Sequence, residues 1–215
     1  MTPESRLRAF GSIPFSHGAL LPLLAEYQRP NDKIARWLAT GVLVQLRRGL
    51  YVLGAGYRQG PVSLPLLANL LYGPSCVSLD FALSWHGLIP ERVVEVSSVS
   101  TRRARVINNS LGRFSYTHLP QAVYGIGIRI ETNQDGSAFL LASPEKALCD
   151  KVALTRHLDV SGKPGMQAFL FEDLRVEPEV LASFDRDVIR QYAQAGYKSR
   201  QLLALYRVVE SLQCP

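Results

Sequence analysis

Along the first sixty positions the spacing of apolar residues changes at Gly41. Before it, Ile34, Trp37 and Leu38 recur at i, i+3 and i+4, which predicts one buried stripe on a helix over 31–40. Asn31 stands where a helix cap is wanted, because its side chain can accept from the unsatisfied amides of the first turn. Gly41 is a natural stop, since glycine enters the left-handed conformation without steric cost. Two β-rich runs follow, 42–46 and 50–53, split by Arg47-Arg48-Gly49, and that pattern predicts a hairpin with arginines at its tip. Upstream, residues 4–10 and about 19–27 are short helical candidates, with Leu20, Leu21, Leu23 and Leu24 as buried surface. Pro22 fits only in a first turn or at a kink.

The glycine-rich stretch 54–61 reads as a linker, and 64–71 as a buried helix. Ser78 is placed to cap a helix over 79–86, which Gly87 and Pro90 end. Alternation over 93–100, 113–119 and 124–131, with the short apolar run 138–142, predicts an antiparallel sheet with one buried face. Ser143-Pro144 opens a helix with an N-cap serine and proline at the first position. From about 178 onward the pattern is helical, with Leu202, Leu205, Tyr206 and Val209 on one stripe. The expected fold class is α+β: a winged helix-turn-helix over 1–57, then a mixed domain over 62–215 with an antiparallel sheet and C-terminal helices.

Charge sharpens this division. Residues 1–58 hold eight Lys or Arg against three acids, and the rest of the chain is nearly neutral. A basic end on a neutral body is an electrostatic footprint of nucleic-acid binding, with a solubilising charged face as the bland alternative. A helix leading into a β-wing decides for DNA, the helix entering the major groove while wing cations meet phosphates. Arg47 and Arg48 suit bidentate phosphate contact, and Arg29 stands just before the helix. Lys33 and Arg36, three apart, fall off the buried stripe and are expected to face solvent and a groove. Asn31 has a second reading as a reader of an adenine edge, with capping preferred. Arg102, Arg103 and Arg105 form a second basic group between two predicted strands, in a loop or at an exposed strand edge. It either extends the DNA surface or engages an acidic or RNA-bound partner, with an edge guarded by charge as the bland alternative.

No stretch reaches the ~20 apolar residues of a membrane span, and no secretory signal is expected. Cys76, Cys149 and Cys214 are odd in number and far apart, which predicts neither disulfides nor zinc and fits a reducing cytoplasm. Enzymatic patterns are weak. Asp80, Glu91, Glu95, Glu145 and Asp150 are scattered in sequence, and Glu95-Val96-Ser97 lacks the lysine of a nuclease strand. His17, His86, His118 and His157 show no ligand spacing. Asp80, Ser84 and His86 crowd one short helix, without a nucleophile elbow. Gly125-Ile126-Gly127 lacks the third glycine of a dinucleotide fingerprint and lies inside a predicted strand, where a close backbone approach or a bulge explains it better. Trp37 and Trp85 are expected in cores. The expectation is no catalytic residue, no metal and no cofactor.

Three segments together resemble the AbiEi-type antitoxins, transcriptional regulators of abortive-infection toxin–antitoxin pairs. They are RPNDKIARWLATGVLVQLRRGLYVL (29–53), residues 74–120 with SLDFALSWHGLIPE and STRRAR, and ASPEKALCDKV (142–152). They make up about two fifths of the chain, and their order is more specific than the wing alone. Cys76 departs from the pattern, standing where an aromatic residue is common. The resemblance implies a repressor that binds operator DNA at its own promoter. It also implies opposition to a nucleotidyltransferase toxin, credited to the second domain. The alternative is a protein-interaction module that counters such a toxin with only secondary DNA contact. No coiled-coil seam marks a dimer, so a monomer that pairs on DNA and a weak dimer both stay open.

Overall fold

The computed structural model describes residues 3–158 and 162–213; Cys214 lies outside them. The chain begins with α1 (Pro3–Leu7), extended by a 3-10 turn over Arg8–Phe10. A two-residue strand β1 (Phe15–Ser16) leads into α2 (His17–Leu20), where the Ser16 hydroxyl accepts from the Ala19 amide. The 3-10 turn Leu21–Leu24 follows with Pro22 in its first turn, the one setting that proline tolerates. Then come α3 (Pro30–Ala39), β2 (Leu43–Arg47) and β3 (Leu50–Leu53). The three strands form a sheet in the order β1-β3-β2, all antiparallel. Gly49, at φ +77, makes the turn between β2 and β3. Where β3 leaves the sheet, Gly54 donates to the Val42 carbonyl, and a Cβ there would collide with the Gly41 carbonyl oxygen.

The rest of the described chain builds one larger body. Its elements begin α4 (Leu64–Leu71), β4 (Ser75–Val77), α5 (Leu79–Trp85) and β5 (Val96–Ser100). β6 (Arg105–Asn109), β7 (Gly112–His118), α6 (Gln121–Tyr124), β8 (Ile128–Thr132) and β9 (Ala138–Ala142) follow. α7 (Pro144–Leu154), α8 (Lys163–Ala168), a π-turn over Phe169–Asp173, α9 (Pro178–Ala182), α10 (Arg186–Gln194) and α11 (Ser199–Gln213) complete it. The six strands run in the order β6-β7-β5-β4-β9-β8. The sheet is mixed, contrary to the antiparallel expectation: β5 pairs β7 in parallel, and β4 pairs β9 in parallel. Alternation of side chains reports which face is buried and carries no information on the direction of the neighbouring strand. α4 packs across β4, β5 and β9, while α5 lies on β5 and against α7, which in turn carries α10 and α11.

Two apolar clusters divide the interior. The smaller gathers Leu7, Leu20, Leu24, Ile34 and Trp37 with Leu43, Tyr51 and Leu53. The larger fills the body, and it includes Leu46, Leu50 and Val52. Side chains alternate along a strand, so β3 sends Tyr51 and Leu53 into one core and Leu50 and Val52 into the other. The hairpin is therefore a shared wall. Where the sequence pattern predicts a projecting wing, the structure docks it, because burying Leu46, Leu50 and Val52 is worth about 1.5–3 kcal/mol apiece.

A polar network crosses the body's core. Lys146 and Asp150, one turn apart on α7, are both fully buried, with the ammonium 3.3 Å from the carboxylate. Lys146 also donates to the Tyr192 hydroxyl at 2.7 Å, and Tyr192 donates to Asp150. Ser78 donates to the other Asp150 oxygen at 2.6 Å. This bond corrects an expectation: the Ser78 hydroxyl does not cap α5 but is spent on Asp150. Ser143 does cap α7, accepting from the Lys146 amide, and it donates to Glu145. Gly127, at φ +71, sits against the Lys146 Cβ and Ser143 Oγ, so the close approach expected there is present, outside the strand.

Candidate nucleic-acid interface

α3 starts two residues earlier than its cap signal at Asn31 suggests. Pro30 takes the first helical position, where its fixed φ is already helical and its missing N–H costs nothing, and Arg29 becomes the flanking residue. Asn31 thus lies inside the first turn and is exposed, so it does not cap α3. Ile34 and Trp37 are buried and Leu38 half-buried, in line with the predicted stripe. The exposed side carries Asn31, Asp32, Ala35, Arg36 and Ala39. Asn31–Ala35 and Asp32–Arg36 are i,i+4 neighbours, and the alanines leave room for close approach. Arg29 and Asp32 stand 4.0 Å apart with both side chains mostly in solvent, an arrangement worth little energy.

Lys33 is not free to enter a groove. Its ammonium is 2.7 Å from Glu4 Oε1 and its side chain is 18% exposed. It lies over the rings of Trp37 and Tyr27, at 5.3 and 5.7 Å from their centroids. Trp37 Nε1 donates to the same Glu4 oxygen at 3.0 Å. Hydrogen bonding from Lys33 first, then from Trp37, holds the Glu4 carboxyl down to about 2. Lys33 therefore clasps α1 onto α3. Helical spacing places it off the buried stripe but cannot reveal an acid 29 positions upstream.

The hairpin arginines separate in role. Arg48 is exposed at the tip. Arg47 is also exposed, yet its guanidinium donates to the Leu70 carbonyl at 3.2 Å, satisfying an acceptor in the last turn of α4. That same end of α4 gathers the second basic group. Arg102 and Arg105 lie 5.8 and 5.5 Å from the centre of the Tyr72 ring, just past the helix end. The Tyr72 hydroxyl donates to the Arg103 carbonyl, and His118 and Ser100 hold the backbone of Arg102. Burial raises the Tyr116 hydroxyl, while Arg105 and Arg47 both oppose that rise, so both guanidinium groups lie within electrostatic reach of one oxygen.

Two arginine groups some fifty positions apart in sequence thus converge on one helix end. All five side chains are exposed, and none forms an ion pair among the described residues. Arg105 opens β6, an edge strand, in keeping with the exposed-edge reading of this segment. Sequence reasoning misses Tyr72, the ring on which the cluster is assembled; nothing in its spacing marks it.

Three of the five acids scattered in sequence, Asp80, Glu91 and Glu95, are gathered by the fold, while Glu145 and Asp150 on α7 have partners of their own. Asp80, Glu91, Glu95 and Asp173 line a cavity of about 540 Å³. Asp80 pairs with Lys151 at 2.7 Å, Glu95 with Arg113 at 2.8 Å, and Glu91 with Arg175. Among the described residues, no group of three or more His, Cys, Asp or Glu is placed to hold a metal ion. Ser84 donates to the Glu91 carbonyl while His86 Nε2 meets the Ala142 carbonyl, so these two side chains act separately. Cys76 and Cys149 are free and buried, and burial pushes the Cys76 thiol up to about 12. Trp85 is half exposed, correcting its expected place in a core.

No helix among the described residues is long and apolar enough to cross a membrane. No family model and no curated protein matches the chain. The likeness to AbiEi-type antitoxins stands on the three segments 29–53, 74–120 and 142–152 alone.

Proposed function

We propose that this chain is a sequence-specific DNA-binding repressor, acting in the cytoplasm as the antitoxin of an AbiE-like pair and controlling its own promoter. The first unit works as a winged helix-turn-helix. α3 offers its exposed side, with Asn31 and Arg36, to the major groove, and Arg29 meets a phosphate at the helix start. The observation that carries the reading is the convergence of Arg47, Arg102 and Arg105 on the end of α4. With Arg48 and Arg103 adjacent in the chain, they offer an unneutralised cationic surface to the phosphates beside the groove. Affinity comes from this cluster and sequence choice from α3. No reaction, metal or cofactor is assigned. The body, in this reading, opposes a nucleotidyltransferase toxin.

Docking of the hairpin favours a second reading, in which the body is chiefly a protein-interaction module and DNA contact is secondary. A salt-dependent mobility-shift titration on the chain's own upstream DNA, against random duplex, separates the two. The repressor reading expects a clear preference for the upstream duplex. In log K against log salt, each phosphate-binding cation removed should flatten the slope by about one unit. Arg48→Ala tests this singly, and Arg102→Ala with Arg105→Ala tests it as a pair. Arg36→Ala should also change sequence preference. Equal binding to random duplex, with slopes unchanged in the arginine variants, would leave only the interaction module.

A further inference from the structure

Beside the junction of the two units lies a cavity of about 470 Å³ that plays no part in the surface described above. One wall is Gly11 and Ser12 of the first unit, another the connector around Gly60, and a third the β8–β9 turn; Trp85 closes a side. Two hydrogen bonds brace its corners: Ser12 donates to the Gly60 carbonyl at 2.8 Å, and Ser63 to Asn133 Oδ1 at 3.3 Å. Sites for small molecules favour such junctions, with apolar walls and a few converging polar groups.

The chemistry of the lining is selective. Trp85 is steadied by Phe139, edge-on with ring centres 5.7 Å apart, and by Phe81 at 6.3 Å, yet half of its surface remains open. A large aromatic surface fixed in this way is a stacking platform. Among the described residues Asp135 supplies the one formal charge of the lining, in a protein whose net charge is +6. The Ser137 hydroxyl and amide, at 2.5 and 2.9 Å, hold that carboxyl below the usual carboxylate range. Both donate to Oδ1, and the residue's own backbone amide lowers the carboxyl a little further. The side-chain amides of Gln59 and Gln134 add donors and acceptors, and among the described residues no Lys, Arg or His lines the cavity. A phosphate would find no cation here and one carboxylate opposing it.

We propose that this cavity binds an amino-substituted nucleobase or nucleoside without its phosphates, stacked on Trp85 and donating an exocyclic N–H to Asp135. Because the walls come from both units, an occupant bridges the DNA-facing unit to the body. Any effect on operator affinity would rest on the repressor reading; binding itself does not.

The test uses the full chain in the absence of DNA, so its failure is distinct from failure of the repressor reading. Adenosine, cytidine and guanosine are titrated beside their 5′-monophosphates. Tryptophan emission and ligand-observed saturation-transfer NMR are the readouts. Trp37 also emits, so only a saturable change in emission that is lost in Trp85→Leu reports Trp85. At least one nucleoside should bind saturably, about tenfold or more tighter than its monophosphate. Trp85→Leu should abolish the NMR signal, and Asp135→Asn should erase the preference over the monophosphate. Circular dichroism of both variants must match the parent fold, and Gln59→Ala gives a milder variant with weakened binding if Trp85→Leu unfolds. Absence of saturable binding by all three nucleosides would overturn the proposal. So would monophosphates that bind equally well, or binding that survives Trp85→Leu.

Discussion

Lys33 and Lys146 each grip a carboxylate, one at the rim of the amino-terminal unit and one at the centre of the body. The first pair, with Glu4, has side chains 18% and 37% exposed; the second, with Asp150, is fully buried on both sides. Water already solvates much of the first pair, so forming it gains little and losing it costs little. The second pair has no water to fall back on, and its worth lies in never being half removed. The cores differ in the same sense. Among the described residues, the small cluster holds ten buried apolar side chains and the large one forty-two. A core of ten is marginal alone, and the shared hairpin supplies the first unit with stability from the body.

The harshest test of this contrast is Lys146→Met. Asp150 would stay buried beside Tyr192 and Ser78 without its cation. We expect a loss of about 3–5 kcal/mol, since removing one member of a buried pair strands the other charge. For a chain of this size that is a fall in Tm of roughly 6–20 °C. Adding Asp150→Asn removes the stranded charge and keeps an acceptor for one of the two hydroxyls, the other turning to accept from the new amide N–H, so the double variant should be more stable than the single one. A single variant that melts within a few degrees of the parent would mean that the pair is not sealed from solvent.

Next in size is Leu50→Ala at the shared wall. Leu→Ala in a packed core costs about 2–5 kcal/mol. The prediction concerns cooperativity as much as magnitude. In a Trp85→Phe background the remaining Trp37 emission follows the first unit and far-ultraviolet dichroism is dominated by the body, and in urea the two transitions should coincide when Leu50 is kept. In Leu50→Ala they should separate, with the Trp37 transition moving to lower urea. If both moved together by the same amount, the hairpin would not be the link between the cores.

These elements also show what a sequence discloses. Helix α4 and strand β9 appear at the expected positions because each is a continuous apolar run between breakers. The helix–hairpin segment is legible for the same reason, period 3.6 giving way to period 2 at Gly41. β4 escapes detection: three residues in the middle of a sheet are too few for any period. β6 escapes because Arg105-Val-Ile-Asn-Asn is polar at an exposed edge, where packing does not constrain composition. The arginines of the candidate interface are each visible in the sequence, but their convergence is not. It depends on the hairpin docking against α4 and on Tyr72, and both bring together residues distant in the chain. Lys33 misleads for the mirror reason: its partner Glu4 is reached only once α1 folds onto α3.

The smallest effect isolates the rim pair. The folded-state pKa of Glu4 lies near 2, below its ordinary value of 4.5, with the Lys33 hydrogen bond as first cause. A carboxyl lowered on folding stabilises the protein fully above its unfolded pKa, and that contribution fades as pH falls from about 4.5 towards 2. Half-exposed as it is, Glu4 should supply no more than about 1 kcal/mol after screening. Glu4→Gln keeps an oxygen for the Trp37 indole while abolishing the charge. Urea midpoints at pH 5.5 and pH 3 should therefore differ less in Glu4→Gln than in the parent, and added salt should narrow the gap further. Lys146→Met, by contrast, should show little response to salt, because ions do not reach the body's centre. Equal salt sensitivity of the two variants would dissolve the distinction between a solvated clasp and a sealed one.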